Sequence, residues 1–304
     1  MSASSAPVER DFPLDRLTTV RTGGRADWFA RPEDERRLRE LLLWADVEDI
    51  PVAVIGSGSN LLVADEGYRG LAVKLDGDLT AIARNGERLT CGGGARLPSA
   101  AAKAAGWGLS GIEFGVNIPG TVGGAVRMNA NAYGGELAAV LEWVDICTPR
   151  GSDRREPAAL GFEYRSSNLG AHEVVARACF RLAEADPAVV KATMAGMRER
   201  RHGAQPSGIK TFGSTFKNPA DERADGRTAG QLLEAAGCSG LQIGGARFSL
   251  KHANFVENTG EATSADVLEL IATGRRRVHE RFGVVLEPEV QTLGDVSWPE
   301  SWRL

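Results

Sequence analysis

Short apolar runs separated by glycine-rich polar stretches set the pattern of this chain, and helical periodicity is confined to a few segments. Residues 52–55 and 61–63 are aliphatic runs of strand length, and the loop between them, Gly56-Ser57-Gly58-Ser59-Asn60, holds only small or hydrogen-bonding residues. Between Pro32 and Asp46, Leu38, Leu41, Leu42 and Ala45 recur at helical spacing behind an acidic first turn, which predicts an amphipathic helix. Residues 97–106, 187–201, 228–236 and 264–282 read as further helices. Strands are expected at 17–29, broken at Gly23-Gly24, and at 67–75, 89–95, 141–147, 174–182, 248–257 and 284–290, with a charged turn over 149–156.

Length then bears on the number of domains. At 304 residues the chain exceeds what one small core accommodates, so two or three domains sharing an interface are expected. A formal net charge of −4 argues against nucleic acid as a partner, because phosphate-backbone binding needs a concentrated positive surface. No apolar run approaches the roughly 20 residues of a membrane helix, and no charged-then-apolar signal opens the chain, so a cytoplasmic protein is expected. Residues 1–8 read as a loose leader and 205–208 as a linker. Cys91, Cys147, Cys179 and Cys238 stand far apart without a C-x-x-C pair, which favours reduced, buried thiols over disulfides or metal ligands.

Candidate chemistry lies in the glycine-rich stretches. Gly56 and Gly58 let backbone N–H groups turn toward an anion, and Ser57, Ser59 and Asn60 add donors, so the loop either cradles a phosphate or is a tight turn that binds nothing. Residues 111–135 are denser still in glycine. Each glycine costs a helix or strand about 1 kcal/mol, so either side chains there would obstruct a flat ligand or the stretch is a turn-rich loop. No segment matches the P-loop, H-E-x-x-H or G-x-S-x-G patterns. The Rossmann fingerprint fails as well, because Leu61 stands where its third glycine belongs and a strand follows.

Eight motifs in order carry a closer likeness. They are Thr22-Gly23-Gly24-Arg25-Ala26, the run from Gly56 to Leu62, Ile118-Pro119-Gly120-Thr121-Val122-Gly123-Gly124-Ala125, Met128-Asn129-Ala130, Tyr164-Arg165, Gly213-Ser214-Thr215-Phe216-Lys217-Asn218-Pro219, Lys251-His252-Ala253-Asn254-Phe255 and Glu287-Pro288-Glu289-Val290. From Thr18 to Gly294 the chain resembles the UDP-N-acetylenolpyruvoylglucosamine reductase (MurB) family. The resemblance implies an α+β, three-domain FAD-binding fold of the vanillyl-alcohol oxidase/MurB type. Residues 1–76, joined by 288–304, and residues 77–204 would hold FAD between them, and 205–287 would close over a UDP-sugar. Gly56, Ser57, Gly58, Ser59, Asn60 and Leu61 would meet the pyrophosphate, and Gly120, Thr121, Gly123, Gly124 and Ala125 the flavin. No histidine lies in these loops, so non-covalent FAD is expected, and no metal.

The activity implied is NADPH-dependent reduction of UDP-N-acetyl-3-O-(1-carboxyvinyl)-glucosamine to UDP-N-acetylmuramate, a step of peptidoglycan precursor synthesis, by a monomer. The alternatives are a flavin oxidase or dehydrogenase with another substrate, and a non-catalytic nucleotide-binding protein. Adding hydride to a double bond conjugated with a carboxylate builds charge on the α-carbon and carboxylate, so the site needs a fixed cation and an acid. By resemblance Arg165 is the cation, Ser214 the proton donor and Glu289 the carboxyl that polarises or protonates. Tyr164, Lys217, Asn218 and Lys251 are implied to touch substrate. Taken singly, Arg165 reads equally as a surface residue, Ser214 as a cap and Glu289 as solvated. Two departures from the family pattern stand out, Asn117 and an Asn131 where glycine is usual. Asn tolerates positive φ, so Asn131 is expected to keep the loop's shape. The stretch from Tyr164 to Phe180 is too short for an inserted tyrosine-bearing cap, which places the chain in the shorter subclass.

Overall fold

The computed structural model describes residues 8–206 and 208–304. The expected leader up to residue 7, and Ser207 of the expected linker, lie outside the described residues. The chain divides into two compact units. The first takes the chain up to Arg10, Asp27–Ser57 and Gly70–Arg201; the second takes Asp11–Ala26, Gly58–Arg69 and the chain from His202.

In the first unit the predicted helix forms as Glu35–Val47, started by the Asp34 carboxylate, which accepts the Arg37 N–H at 2.7 Å. Its Leu38, Leu41, Leu42 and Ala45 are fully buried, and they pack with Leu71, Val73, Cys147, Val174 and Ala176. Val52–Val54 runs parallel to Leu71–Val73. A five-stranded antiparallel sheet follows, in the order Gly151–Arg155, Leu141–Thr148, Val174–Arg181, Arg88–Gly92, Ile82–Asn85. Leu89, Val144, Ile146, Ala178 and Phe180 from this sheet share a core with the alanine stripe of the Leu97–Gly106 helix. Small residues on that helix bring it close to the strands.

The second unit is built on the Ser264–Phe282 helix, which opens with a capping box between Thr263 and Asp266 and closes at Gly283 in the left-handed region. Val267, Leu270, Ile271 and Val278 from its inner face are buried with Phe212, Phe216, Phe248, Leu232 and Leu286. Gln242–Ile243, Ala246–Phe248 and Val256–Asn258 make a three-stranded sheet. Leu61–Val63 pairs in parallel with Gln291–Leu293, across 230 residues of chain from Leu61 to Gln291 by number.

Four expectations change. Only Arg25–Ala30 of the expected strand at 17–29 is extended, because Arg21 (φ 63°) and Gly23 (φ 113°) turn the chain before it. The charged turn at 149–156 is instead a hairpin whose edge strand, Gly151–Arg155, pairs with Val144–Thr148; charge on an edge strand blocks further pairing. The strand expected over 248–257 is two short strands, Ala246–Phe248 and Val256–Asn258, joined by a loop that carries Lys251 to Phe255. The last strand is Gln291–Leu293 rather than 284–290, where Pro288 removes a ladder donor and only a single bridge to Phe216 forms. All four cysteines are free and buried as expected, and burial pushes Cys91 up to about 12 and Cys147 and Cys238 to about 11.

Candidate active site

The loop after Val52–Val54 is held open from below. Lys74 Nζ donates to the Gly56 carbonyl at 2.7 Å, and burial, followed by the neighbouring Arg31, draws this ammonium below the ordinary lysine range. Thr19 donates to the Gly58 carbonyl from both its N–H and its hydroxyl, at 3.0 and 3.1 Å. Gly58 has φ 63°, and a Cβ there would overlap the Leu17 carbonyl, so only glycine fits. With the carbonyls engaged, the opposite groups stay available. Among the described residues, no chain acceptor takes the N–H of Gly56, Ser57, Gly58, Ser59 or Asn60. Five consecutive donors flanked by hydroxyl and amide side chains suit an anion with several oxygens, such as a pyrophosphate.

The second glycine loop meets the Gly56 end of the first within the first unit. A Cβ at Gly56 would stand 2.5 Å from Thr121 Oγ1, and that hydroxyl also accepts the Gly124 N–H at 3.3 Å. Gly123 donates to Gly93 at 2.7 Å and Val122 to Ala95 at 2.8 Å, while Leu97 donates to Gly120 at 3.0 Å. These bonds press the loop onto residues 93–97. Much of the glycine density in 111–135 therefore serves the chain's own packing: added side chains at Gly115 and Gly135 would stand 2.9 and 2.5 Å from Leu97 and Phe114. In this stretch a Cβ at Gly134 would have nothing within 4 Å, and one at Gly120 would meet only Ile118 Cγ2, at 3.9 Å. Ala125 is buried, and Leu61 is tied into a strand pair with Gln291.

Tyr164 and Arg165 are the two central residues of a hairpin closed by reciprocal 3.2 Å hydrogen bonds between Glu163 and Ser166. Arg165 is left-handed, φ 58°, at a turn position that glycine or asparagine usually fills, which costs an arginine about 1 kcal/mol. Its Nη1 donates to the Asn131 carbonyl at 3.2 Å, and its guanidinium lies 5.4 Å from the Tyr164 ring. Tyr164 itself is exposed. Asn131 is extended, so the tolerance of asparagine for positive φ is not called on there; positive φ in this loop falls on Asn129 (39°) and Tyr133 (53°). Asn117 anchors a helix, donating to Met197 at 2.8 Å and receiving Arg201 on its carbonyl.

The second unit brings Ser214 and Glu289 together. Thr215 lies between two neighbouring segments: its N–H donates to Asn254 at 2.7 Å, and its carbonyl accepts the Glu289 N–H at 2.8 Å. Ser214 bridges Phe255 one residue before, and Lys217 donates to the Glu287 carbonyl at 2.9 Å. Asn60 joins the same group by donating from Nδ2 to the Glu289 carbonyl at 3.1 Å. Ser214 and Glu289 are both half-buried. Lys217 Nζ pairs with Glu287 at 3.5 Å, Asn218 Oδ1 accepts the Ala229 N–H at 3.1 Å, and Lys251 Nζ donates to the His202 carbonyl at 2.6 Å. His252 packs edge-on to Phe255, and burial lowers its basicity. Arg165 belongs to the first unit. Sequence reasoning missed Lys74, Thr19 and Asn254; a lone lysine ending the apolar run Leu71 to Val73 was the available signal for the first.

Known proteins are similar to this chain over most of its length. Residues 26–155 match the family model described as an FAD binding domain, and residues 205–293 that of the UDP-N-acetylenolpyruvoylglucosamine reductase C-terminal domain. UDP-N-acetylenolpyruvoylglucosamine reductase 2 of Symbiobacterium thermophilum is 43% identical over 293 residues, covering 96% of this chain and 94% of that one. The reductase of Anaeromyxobacter dehalogenans is 44% identical over 286 residues, 94% of this chain and 85% of its own. The crystal structure of the reductase from Thermus caldophilus superposes with a TM-score of 0.82 at 37% identity, covering 95% of this chain and 99% of that one. The chain belongs to the UDP-N-acetylenolpyruvoylglucosamine reductase (MurB) family.

Proposed function

We propose that this protein reduces UDP-N-acetyl-3-O-(1-carboxyvinyl)-glucosamine to UDP-N-acetylmuramate with NADPH and FAD, a step of peptidoglycan precursor synthesis. FAD fits the residues present: five consecutive unclaimed N–H groups at Gly56 to Asn60 suit its pyrophosphate, and the Cβ side of Gly120, where only the tip of Ile118 comes within 4 Å, is uncrowded enough for a flat ring. When bound, FAD supplies the hydride that it takes from NADPH. The remaining work falls to side chains. Arg165 grips the substrate carboxylate in a fixed fork and stabilises charge that builds there. Ser214 delivers a proton to the α-carbon, and Glu289 polarises the developing enediolate. Tyr164, Lys217, Asn218 and Lys251 border the sugar nucleotide once their present partners are exchanged for it.

In this reading residues 1–76 with 288–304, and residues 77–204, hold the cofactor, and 205–287 closes over substrate. The protein works as a cytoplasmic monomer; among the described residues no helix is long and apolar enough to cross a membrane. The observation that carries the assignment of acid and carboxyl is the Thr215 peptide, whose carbonyl takes the Glu289 N–H one residue after Ser214. Rapid mixing of Ser214→Ala tests it. Flavin reduction by NADPH is expected to stay within about twofold of the parent, while reoxidation by the enolpyruvyl sugar nucleotide falls by at least about 10². Equal loss in the two half-reactions would contradict the role given to Ser214.

A further inference from the structure

We propose that Asn129 is a positioning residue for Arg165. This rests on the reading of Arg165 as the carboxylate-binding cation. From Arg127, the last residue of the Val122–Arg127 helix, alternate residues hold the arginine hairpin and the chain that follows it. Arg127 donates to the carbonyls of Leu169, Gly170 and Glu173 at 3.0, 2.9 and 2.9 Å. Asn129 Nδ2 donates to the Glu163 carbonyl at 3.2 Å, and the Asn131 carbonyl receives Arg165 itself. Ser167 returns a bond to the Arg127 carbonyl at 2.8 Å.

Asn129 is the central contact of the three and holds the backbone of the turn, whereas the Asn131 carbonyl meets the Arg165 side chain. Glu163 is the residue immediately before Tyr164-Arg165, and its carbonyl and N–H already close the hairpin with Ser166. A second donor on that carbonyl sets the tilt of the turn. The left-handed Arg165 backbone persists only where surrounding bonds over-determine it, and Asn129 supplies one of them. Asn129 is 8% exposed, so water does not readily replace its amide, and its Oδ1 is buried without a hydrogen-bond partner. The same segment continues from the Gly120-Thr121 loop through six helical residues. The cofactor loop and the arginine hairpin thereby form one mechanical piece inside a single unit, and Asn129 is the joint between them.

The backbone of Asn129 is itself left-handed, φ 39°, so the informative variant is Asn129→Gly, which keeps that conformation available and removes the amide. Asn129→Asp is the second variant: it keeps the shape but presents an acceptor to the Glu163 carbonyl. Both are expected to hold FAD and to reduce it with NADPH at rates within about twofold of the parent, and to lose on the order of 10² in reoxidation by the sugar nucleotide. Calorimetry should show correspondingly weaker binding of the same nucleotide. In the double variant with Arg165→Lys, the loss should be smaller than the product of the single losses, because a displaced guanidinium has nothing left for Asn129 to position. Multiplicative losses, equal damage to both half-reactions, or a lower melting temperature with unchanged reoxidation would overturn the proposal. If Arg165→Lys by itself leaves reoxidation intact, the role of Arg165 fails and the proposal with it; if Arg165→Lys is crippling and Asn129→Gly is harmless, the positioning role alone fails.

Discussion

Gly58 and Gly86 have nearly the same φ, 63° and 60°, in different surroundings, so replacing each by alanine separates conformational strain from crowding. A left-handed alanine costs about 1 kcal/mol at either site. At Gly86 nothing lies within 4 Å of the new Cβ, so the cost ends there. At Gly58 the Cβ would stand 2.8 Å from the Leu17 carbonyl carbon and from Thr18 Cα, well inside the 3.4 Å where ordinary contact begins. Backbone cannot rotate away as a side-chain tip does, so the 17–19 segment must withdraw. That withdrawal breaks both Thr19 bonds to the Gly58 carbonyl, at about 1 kcal/mol each. Gly58→Ala should therefore cost about 3 kcal/mol against about 1 for Gly86→Ala in urea unfolding followed by circular dichroism. Flavin absorbance should fall in the purified Gly58 variant only, because the five open N–H groups lose their alignment. Equal loss of stability in the two variants would refute the reasoning, and full flavin content in Gly58→Ala would refute the link to the cofactor.

Two further outcomes follow from contacts away from the reacting groups. Asn254 is 4% exposed, and its amide both accepts the Phe216 N–H and donates to the Phe216 carbonyl, each at 2.9 Å, so Asn254→Ala should cost about 2 kcal/mol or more in chemical denaturation. A change below about 0.5 kcal/mol would show that the pair is replaceable. Glu142 receives Arg88 through two 2.8 Å bonds and Arg181 at 2.7 Å, and those guanidinium groups, Arg88 first, hold its carboxyl down at about 2. A carboxyl depressed on folding adds stability that is complete above its unfolded value near 4.3 and is lost as pH falls toward about 2. Glu142→Gln should lower the melting temperature at pH 7 and flatten its decline across that acid range; an unchanged decline would remove Glu142 from the account.

The sequence by itself determined the elements whose signals are local. Leucines at helical spacing behind Asp34 gave the first helix, and the Ser264–Phe282 helix was legible from end to end because Thr263 and Gly283 mark its limits in the chain itself. The order of the glycine motifs carried the family: Gly23, Gly58 and Gly213 stand at positive φ, and Gly24, Gly56 and Gly123 stand where a Cβ would crowd neighbouring atoms. Tertiary structure decided what depends on partners remote in sequence. The 284–290 run reads as a strand by composition, yet Pro288 and the available neighbours moved regular pairing to Gln291–Leu293, beside Leu61–Val63. Crowding by Leu97 and Phe114, invisible along the chain, accounts for Gly115 and Gly135, in a stretch that local reasoning left open between a ligand surface and a turn-rich loop. Lys74, Thr19 and Asn129 escaped for the same reason: each acts on a carbonyl at least 18 residues away, and a carbonyl has no letter of its own in a sequence.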